Sequence, residues 1–306
     1  MGSLVLAVVG LAGLSACLEP NPNLTEGGSE TAGTTNETGS EAESEGQPEP
    51  CDPCELAFST ATFDAGPDGT TVEIPKPDQP NTAAIALVQV YEPGGAAALG
   101  YAIEWEESGD AYTLSLSLTD ANDASRVAGL AVVVGSASAI DSQTFDADAS
   151  NCGSQQVEAD NRVLVHAVET YNPDSGDVAS YSGTREAGNG EDTIEYCFDN
   201  ADSEGASLQV RVLSFEAGEG PVVETRDAIP VSGNGTELTE FSSLPSSAEV
   251  VHLLAVTAYD EGNNASDLGY GLDCDPSQAP YGCELSLIDF GGGAQVIAAG
   301  AAVGIP

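Results

Sequence analysis

Leu114-Ser115-Leu116-Ser117-Leu118 alternates apolar and polar residues without a break. Successive side chains of an extended chain point to opposite faces, so three leucines fall on one side and two serines on the other, the pattern of a half-buried β-strand. Stretches of the same kind surround it. Ala86-Leu87-Val88-Gln89-Val90-Tyr91-Glu92-Pro93 and Tyr101 come before it, and Leu130-Ala131-Val132-Val133-Val134 comes after. A second set has the same order: Val165-His166-Ala167-Val168-Glu169-Thr170-Tyr171-Asn172-Pro173, Tyr181, Ile194-Glu195-Tyr196-Cys197-Phe198, then Leu208-Gln209-Val210-Arg211-Val212-Leu213. A third runs Leu254-Ala255-Val256-Thr257-Ala258-Tyr259-Asp260-Glu261, Tyr270, Cys283-Glu284-Leu285-Ser286-Leu287, then Gln295-Val296-Ile297-Ala298. The paired tyrosines are 10, 10 and 11 residues apart, and the period from Tyr91 to Tyr171 to Tyr259 is 80, then 88. Thr62-Phe63-Asp64-Ala65 and Thr144-Phe145-Asp146-Ala147 echo one another ahead of the first two sets.

Self-similarity at a fixed period marks a repeat architecture. Gly, Asp, Asn and Pro bound every element, and no long helical period competes. Ser246-Ser247-Ala248-Glu249 fits a helix capping box, but the repeat places the run after it where Val163 to Tyr171 alternates as a strand, and strand is the expectation. Five to six short strands in about 80 residues resembles an immunoglobulin-like sandwich in size. The expected fold is therefore all-β: three tandem sandwich repeats over residues 55–138, 139–221 and 222–306. The alternative is one larger β-domain with internal pseudo-repeats. Blades of about 40 to 50 residues would be needed for a propeller.

The N-terminus reads differently. Leu4 to Leu14 is apolar or small throughout, long enough for a signal-peptide core and too short to span a bilayer as a helix. Leu14-Ser15-Ala16-Cys17 follows, and it resembles the lipobox of bacterial lipoproteins. The resemblance implies a signal peptide over residues 1–16, cleavage before Cys17, and acylation of the Cys17 thiol and amino group as a membrane anchor. Leu18 is not the Asp that holds such proteins at the inner membrane in the enterobacterial rule, which implies the outer membrane. Met1, Gly2 and Ser3 lack the positive charge with which signal peptides begin, which points to a start upstream of Met1. Residues 17–54 comprise the anchor Cys and an acidic stretch of Glu, Thr, Ser, Gly, Asn and Pro, too poor in apolar side chains to offset chain entropy, so a disordered stalk is expected.

The chain has 306 residues, with 50 acidic against 6 basic. Eight Glu lie in the stalk, which leaves 42 acids and a net −36 downstream of Pro50. Nucleic acids and anionic lipid surfaces need clustered Lys and Arg, so neither is an expected partner. Solubility in a saline medium and divalent-cation binding are the two readings of this charge. Removing Cys17 from seven cysteines leaves six, an even number in an oxidising compartment. The preferred pairs are Cys51–Cys54, Cys152–Cys197 and Cys274–Cys283. Cys51-Asp52-Pro53-Cys54 has thioredoxin-like spacing, but Glu55 to Phe63 reads as a strand where the redox motif needs a helix N-terminus, so it is taken as a structural clip.

No nucleophile elbow, P-loop, zinc-protease or dinucleotide motif occurs. His166 and His252 sit at similar places in two repeats and read as strand residues at the sheet surface. Tyr91, Tyr171 and Tyr259 with their partners read as sheet packing, or as a recognition surface. Calcium prefers hard oxygens from Asp/Asn-rich loops; the candidates are Asp120, Asn122 and Asp123 in the first repeat and Asp199, Asn200 and Asp202 in the same turn of the second. The expected function is non-enzymatic: an outer-membrane lipoprotein with a structural or binding role toward an envelope protein or extracellular ligand. A carboxylate-based extracytoplasmic hydrolase and a calcium-stiffened surface spacer are the alternatives.

Overall fold

The structure is a computed structural model that describes residues 56–96, 98–174, 180–198, 205–233, 235–262, 268–277, 279–288 and 293–306. All of them belong to one unit, Pro48–Pro306. The signal peptide, Cys17, the stalk, Cys51 and Cys54, and the turn residues Asp199, Asn200 and Asp202 lie outside the described residues.

Alternation becomes strand in every repeat. The first contributes β1 (Leu56–Ala65), β2 (Thr70–Pro75), β3 (Asn81–Glu92), β4 (Gly100–Ser108), β5 (Ala111–Thr119) and β6 (Arg126–Ser136). The second contributes β7 (Ile140–Asp148), β8 (Gly153–Glu158), β9 (Arg162–Asn172), β10 (Tyr181–Glu186), β11 (Glu191–Phe198) and β12 (Ser207–Glu216). The third contributes β13 (Val222–Ser232), β14 (Thr236–Phe241), β15 (Glu249–Asp260), β16 (Gly269–Asp275), β17 (Tyr281–Ile288) and β18 (Gln295–Ile305). Glu249–Asp260 is a strand, as the repeat required, despite the capping-box pattern before it.

The strands form three six-stranded antiparallel sheets, each assembled from halves of two repeats. The trio β1-β6-β3 continues into β16-β17-β14, β7-β12-β9 into β4-β5-β2, and β13-β18-β15 into β10-β11-β8. Each joint is two residues wide and carries a tyrosine pair: Tyr91 opposite Tyr270, Tyr101 opposite Tyr171, and Tyr181 opposite Tyr259. Beyond the joint the two strands part.

Within the first repeat the two trios close on each other. Phe63, Val127 and Val133 share a core with Ile74, Ile103 and Leu114, and Tyr112 Oη donates to the carbonyl of Thr82 across the layers at 3.1 Å. The first repeat is thus a two-layer sandwich, and its sheets continue into strands of the other two stretches, so all the strands belong to one unit.

A second core explains the fusion. Ile85, Leu87, Val132 and Val134 pack with Val163, Val165, Leu213 and Phe215 and with Leu253, Ala255, Ala301 and Val303, drawn from β3, β6, β9, β12, β15 and β18. Ala83 to Val88 is consequently buried on both faces, which accounts for its unbroken apolar run; strict alternation survives where one face meets solvent, as in Leu114–Ser117.

The strand before each joint carries a β-bulge at the same place. The register of β3 slips between Val88 and Val90, that of β9 skips Glu169, and that of β15 slips between Val256 and Ala258. The extra residues, Gln89, Glu169 and Thr257, each stand two positions before a joint tyrosine. A bulge bends its strand and leaves one residue unpaired, which is what a strand needs in order to leave one sheet partner and turn toward the centre.

Candidate functional site

The three joints converge on six tyrosines. Tyr91, Tyr171 and Tyr259 form a triangle with ring centroids 5.6 to 6.1 Å apart. Tyr270 stacks on Tyr91 at 5.9 Å, Tyr181 on Tyr259 at 6.0 Å, and Tyr101 lies against Tyr171 at 6.1 Å. All six are buried, and no room for a water molecule remains between them. Three of the phenols are also satisfied from the backbone: Tyr91 Oη donates to Leu99 O at 2.7 Å, Tyr259 Oη to Leu268 O at 2.7 Å, and Tyr101 Oη to Val168 O at 3.2 Å. Val168 O is the carbonyl just ahead of the bulge. Burial pushes all six phenols above the usual tyrosine range. The tyrosines are therefore packing residues, and of the two readings offered by the sequence the recognition surface is the one that falls.

Glu169 sits in the fork where β9 leaves β4. Its Oε1 accepts the backbone N–H of Ala86 at 3.0 Å and Trp105 Nε1–H at 3.0 Å, and its Oε2 accepts Arg211 Nε–H at 2.7 Å. The side chain is wholly buried. Burial raises its carboxyl, opposed by the Arg211 guanidinium and the Trp105 and Ala86 N–H groups. Ala86 lies on the edge of β3 left bare once β16 has parted from it, so its N–H needs an acceptor from another element. Sequence reasoning missed Glu169. The available signal was a polar residue at one offset in three apolar strands: Gln89, Glu169 and Thr257.

His252 is corrected from surface to interior, while His166 is half-buried. Counted back from the joint tyrosines they differ by two positions, so they share a face without being equivalent. His166 is half-buried, and its Nδ1 is 2.8 Å from Tyr196 Oη. His252 is 3% exposed and packs against the Phe241 ring at 5.4 Å. Burial depresses both imidazoles to about 4. Among the described residues, His252 Nε2 is the one buried side-chain nitrogen or oxygen with no hydrogen-bond partner.

Two of the expected disulfides are present, Cys152–Cys197 and Cys274–Cys283. The first bridges the start of β8 to the outer face of β11. The second joins directly opposed residues of β16 and β17, with Cys283 buried. Of the calcium candidates that are described, Asn122 serves its own turn: Oδ1 accepts Ala124 N–H at 2.7 Å and Nδ2 donates to Gly94 O at 2.9 Å. Asp120 takes a left-handed backbone, φ 54°, as Asp and Asn do in turns. These contacts account for Asn122 and Asp120 as turn-forming residues.

All six basic side chains are ion-paired: Lys76 with Glu107, Arg126 with Asp64, Arg162 with Glu158, Arg185 with Asp192, Arg211 with Glu169, and Arg226 with Glu224. No known protein family, no curated protein and no solved structure matches the chain.

Proposed function

We propose that the chain is a lipid-anchored, extracytoplasmic β-protein with a structural or binding role in the cell envelope. The anchor reading rests on Leu14-Ser15-Ala16-Cys17 and the acidic stalk behind it. The observation that carries the role is the construction of the centre. Three sandwiches share strands, bury a common core and interlock through six tyrosines, which makes a stiff body rather than a set of hinged modules. The two disulfides fit an oxidising compartment. With every basic side chain already engaged by a carboxylate, the surface charge favours a partner that presents basic groups.

Metabolic labelling with an alkyne fatty acid tests the anchor. The wild type is expected to take up label and sediment with membranes, and Cys17→Ala to lose both; a Cys17→Ala protein that stays membrane-bound would overturn it. A panel of chromogenic glycoside, ester and amide substrates tests the role. No turnover above a buffer blank is expected, and turnover abolished by a single carboxylate-to-amide substitution would favour the hydrolase alternative.

A further inference from the structure

We infer that His252, Cys274 and Cys283 form a thiol-dependent site for a soft divalent metal, closed while the Cys274–Cys283 disulfide is intact and opened by its reduction.

Three observations meet at this place. The ligand atoms of the three residues lie within 4.8 Å of one another. His252 is 97% buried, since 3% of it is exposed, and its Nε2 has no partner, where buried polar atoms are otherwise satisfied. Moreover, the trio has no counterpart in the other repeats. Counted from the joint tyrosines, His252 stands where the other repeats have Ala84 and Leu164, Cys274 where they have Trp105 and Arg185, and Cys283 where they have Leu114 and Ile194. A histidine at a leucine position costs stability unless its nitrogen is used.

The chemistry closes. A dithiol reductant supplies two electrons and two protons; the Cys274–Cys283 bond breaks to two thiols and the dithiol becomes a disulfide. Zinc then displaces two protons to solvent and is bound by two thiolates and one neutral imidazole nitrogen. That set has the soft S₂N character zinc accepts, with a water left for the fourth position. Two thiolates cancel the charge of the ion, so the loaded site adds no net charge to the interior. The cross-strand placement of the cysteines holds both sulfurs on one hairpin before the metal arrives.

The experiment uses the full chain, reduced with a phosphine, titrated with zinc against a chromogenic chelator, and with cobalt for thiolate-to-metal absorption. The background is Cys17→Ala with Cys51→Ser/Cys54→Ser and Cys152→Ser/Cys197→Ser, so that only this pair can report. The reduced protein is expected to bind one equivalent and the oxidised protein none. His252→Leu, which copies the residue at Leu164, removes a direct ligand and is expected to weaken binding by at least about 100-fold, the upper end of what loss of an outer-shell partner costs. Cys274→Ser/Cys283→Ser is expected to abolish it. If reduction unfolds the protein, one equivalent of zinc is expected to restore its near-ultraviolet signal. Binding that His252→Leu leaves unchanged, or a reduced protein that takes up no metal, would overturn the inference.

Discussion

Glu169 Oε1 on β9 accepts the backbone N–H of Ala86 on β3 at 3.0 Å, so a side chain of the second repeat closes a gap in the backbone pairing of the first. Glu169→Ala strands three donors at once: Ala86 N–H, Trp105 Nε1–H and Arg211 Nε–H. Removing one partner of a buried ion pair costs about 3–5 kcal/mol. Glu169→Gln keeps an acceptor oxygen and imitates Gln89, so its loss is expected to be smaller. Urea unfolding checks the order, and an alanine variant as stable as the wild type would show that the fork is held by other contacts.

Alkaline titration probes the tyrosine centre. Seven buried phenols, at Tyr91, Tyr101, Tyr171, Tyr181, Tyr196, Tyr259 and Tyr270, are pushed above the usual range by burial. A raised folded-state pKa gives stability that is present below the unfolded value, about 10, and lost as pH rises beyond it. Tyrosinate absorbance from these rings is expected to appear together with loss of β-structure in one cooperative step. Gradual ionisation with the circular dichroism intact would contradict their burial.

His166 sets an acid limit. Its pKa falls from 6.5 to about 4 in the fold, chiefly through burial and secondarily through the charge of Arg185. The neutral form is favoured when folded, so this contribution is present above pH 6.5 and is lost as pH falls toward 4. The shift corresponds to at most about 3.4 kcal/mol. His166→Leu, which copies Leu254 at the equivalent place, is expected to flatten the stability profile between pH 6.5 and 4. A profile equally steep in the variant would assign the acid sensitivity to other groups.

Gly183 and Tyr196 exchange volume across a strand pair. They are opposed on β10 and β11, and a Cβ at Gly183 would sit 2.5 Å from the Tyr196 ring. The other repeats place Ile103 opposite Leu116 and Leu272 opposite Leu285. Gly183→Ile alone is expected to cost about 1–3 kcal/mol or more by overpacking, and Tyr196→Leu alone to leave a cavity. Together they are expected to recover most of the loss, which a double-mutant cycle reads as a coupling of at least 1 kcal/mol. Additive losses would mean that the two positions do not share one space.

The sequence by itself determined that the chain is all-β and where its alternating strands and turns fall. These follow from local physics: the two-residue period of an extended chain and the turn chemistry of Gly, Asp, Asn and Pro. Only the tertiary structure decided that the sandwiches share strands, that the joint tyrosines meet at one centre, and that Glu169 and His252 are interior. Alternation distinguishes the two faces of a strand but does not say what each face meets. Ala83 to Val88, buried on both sides, is apolar because its second face meets strands of the other two repeats, a neighbour that no local pattern names. His252 is the sharpest case: one nitrogen, buried without a partner beside a disulfide, placed there by residues 22 and 31 positions further along the chain.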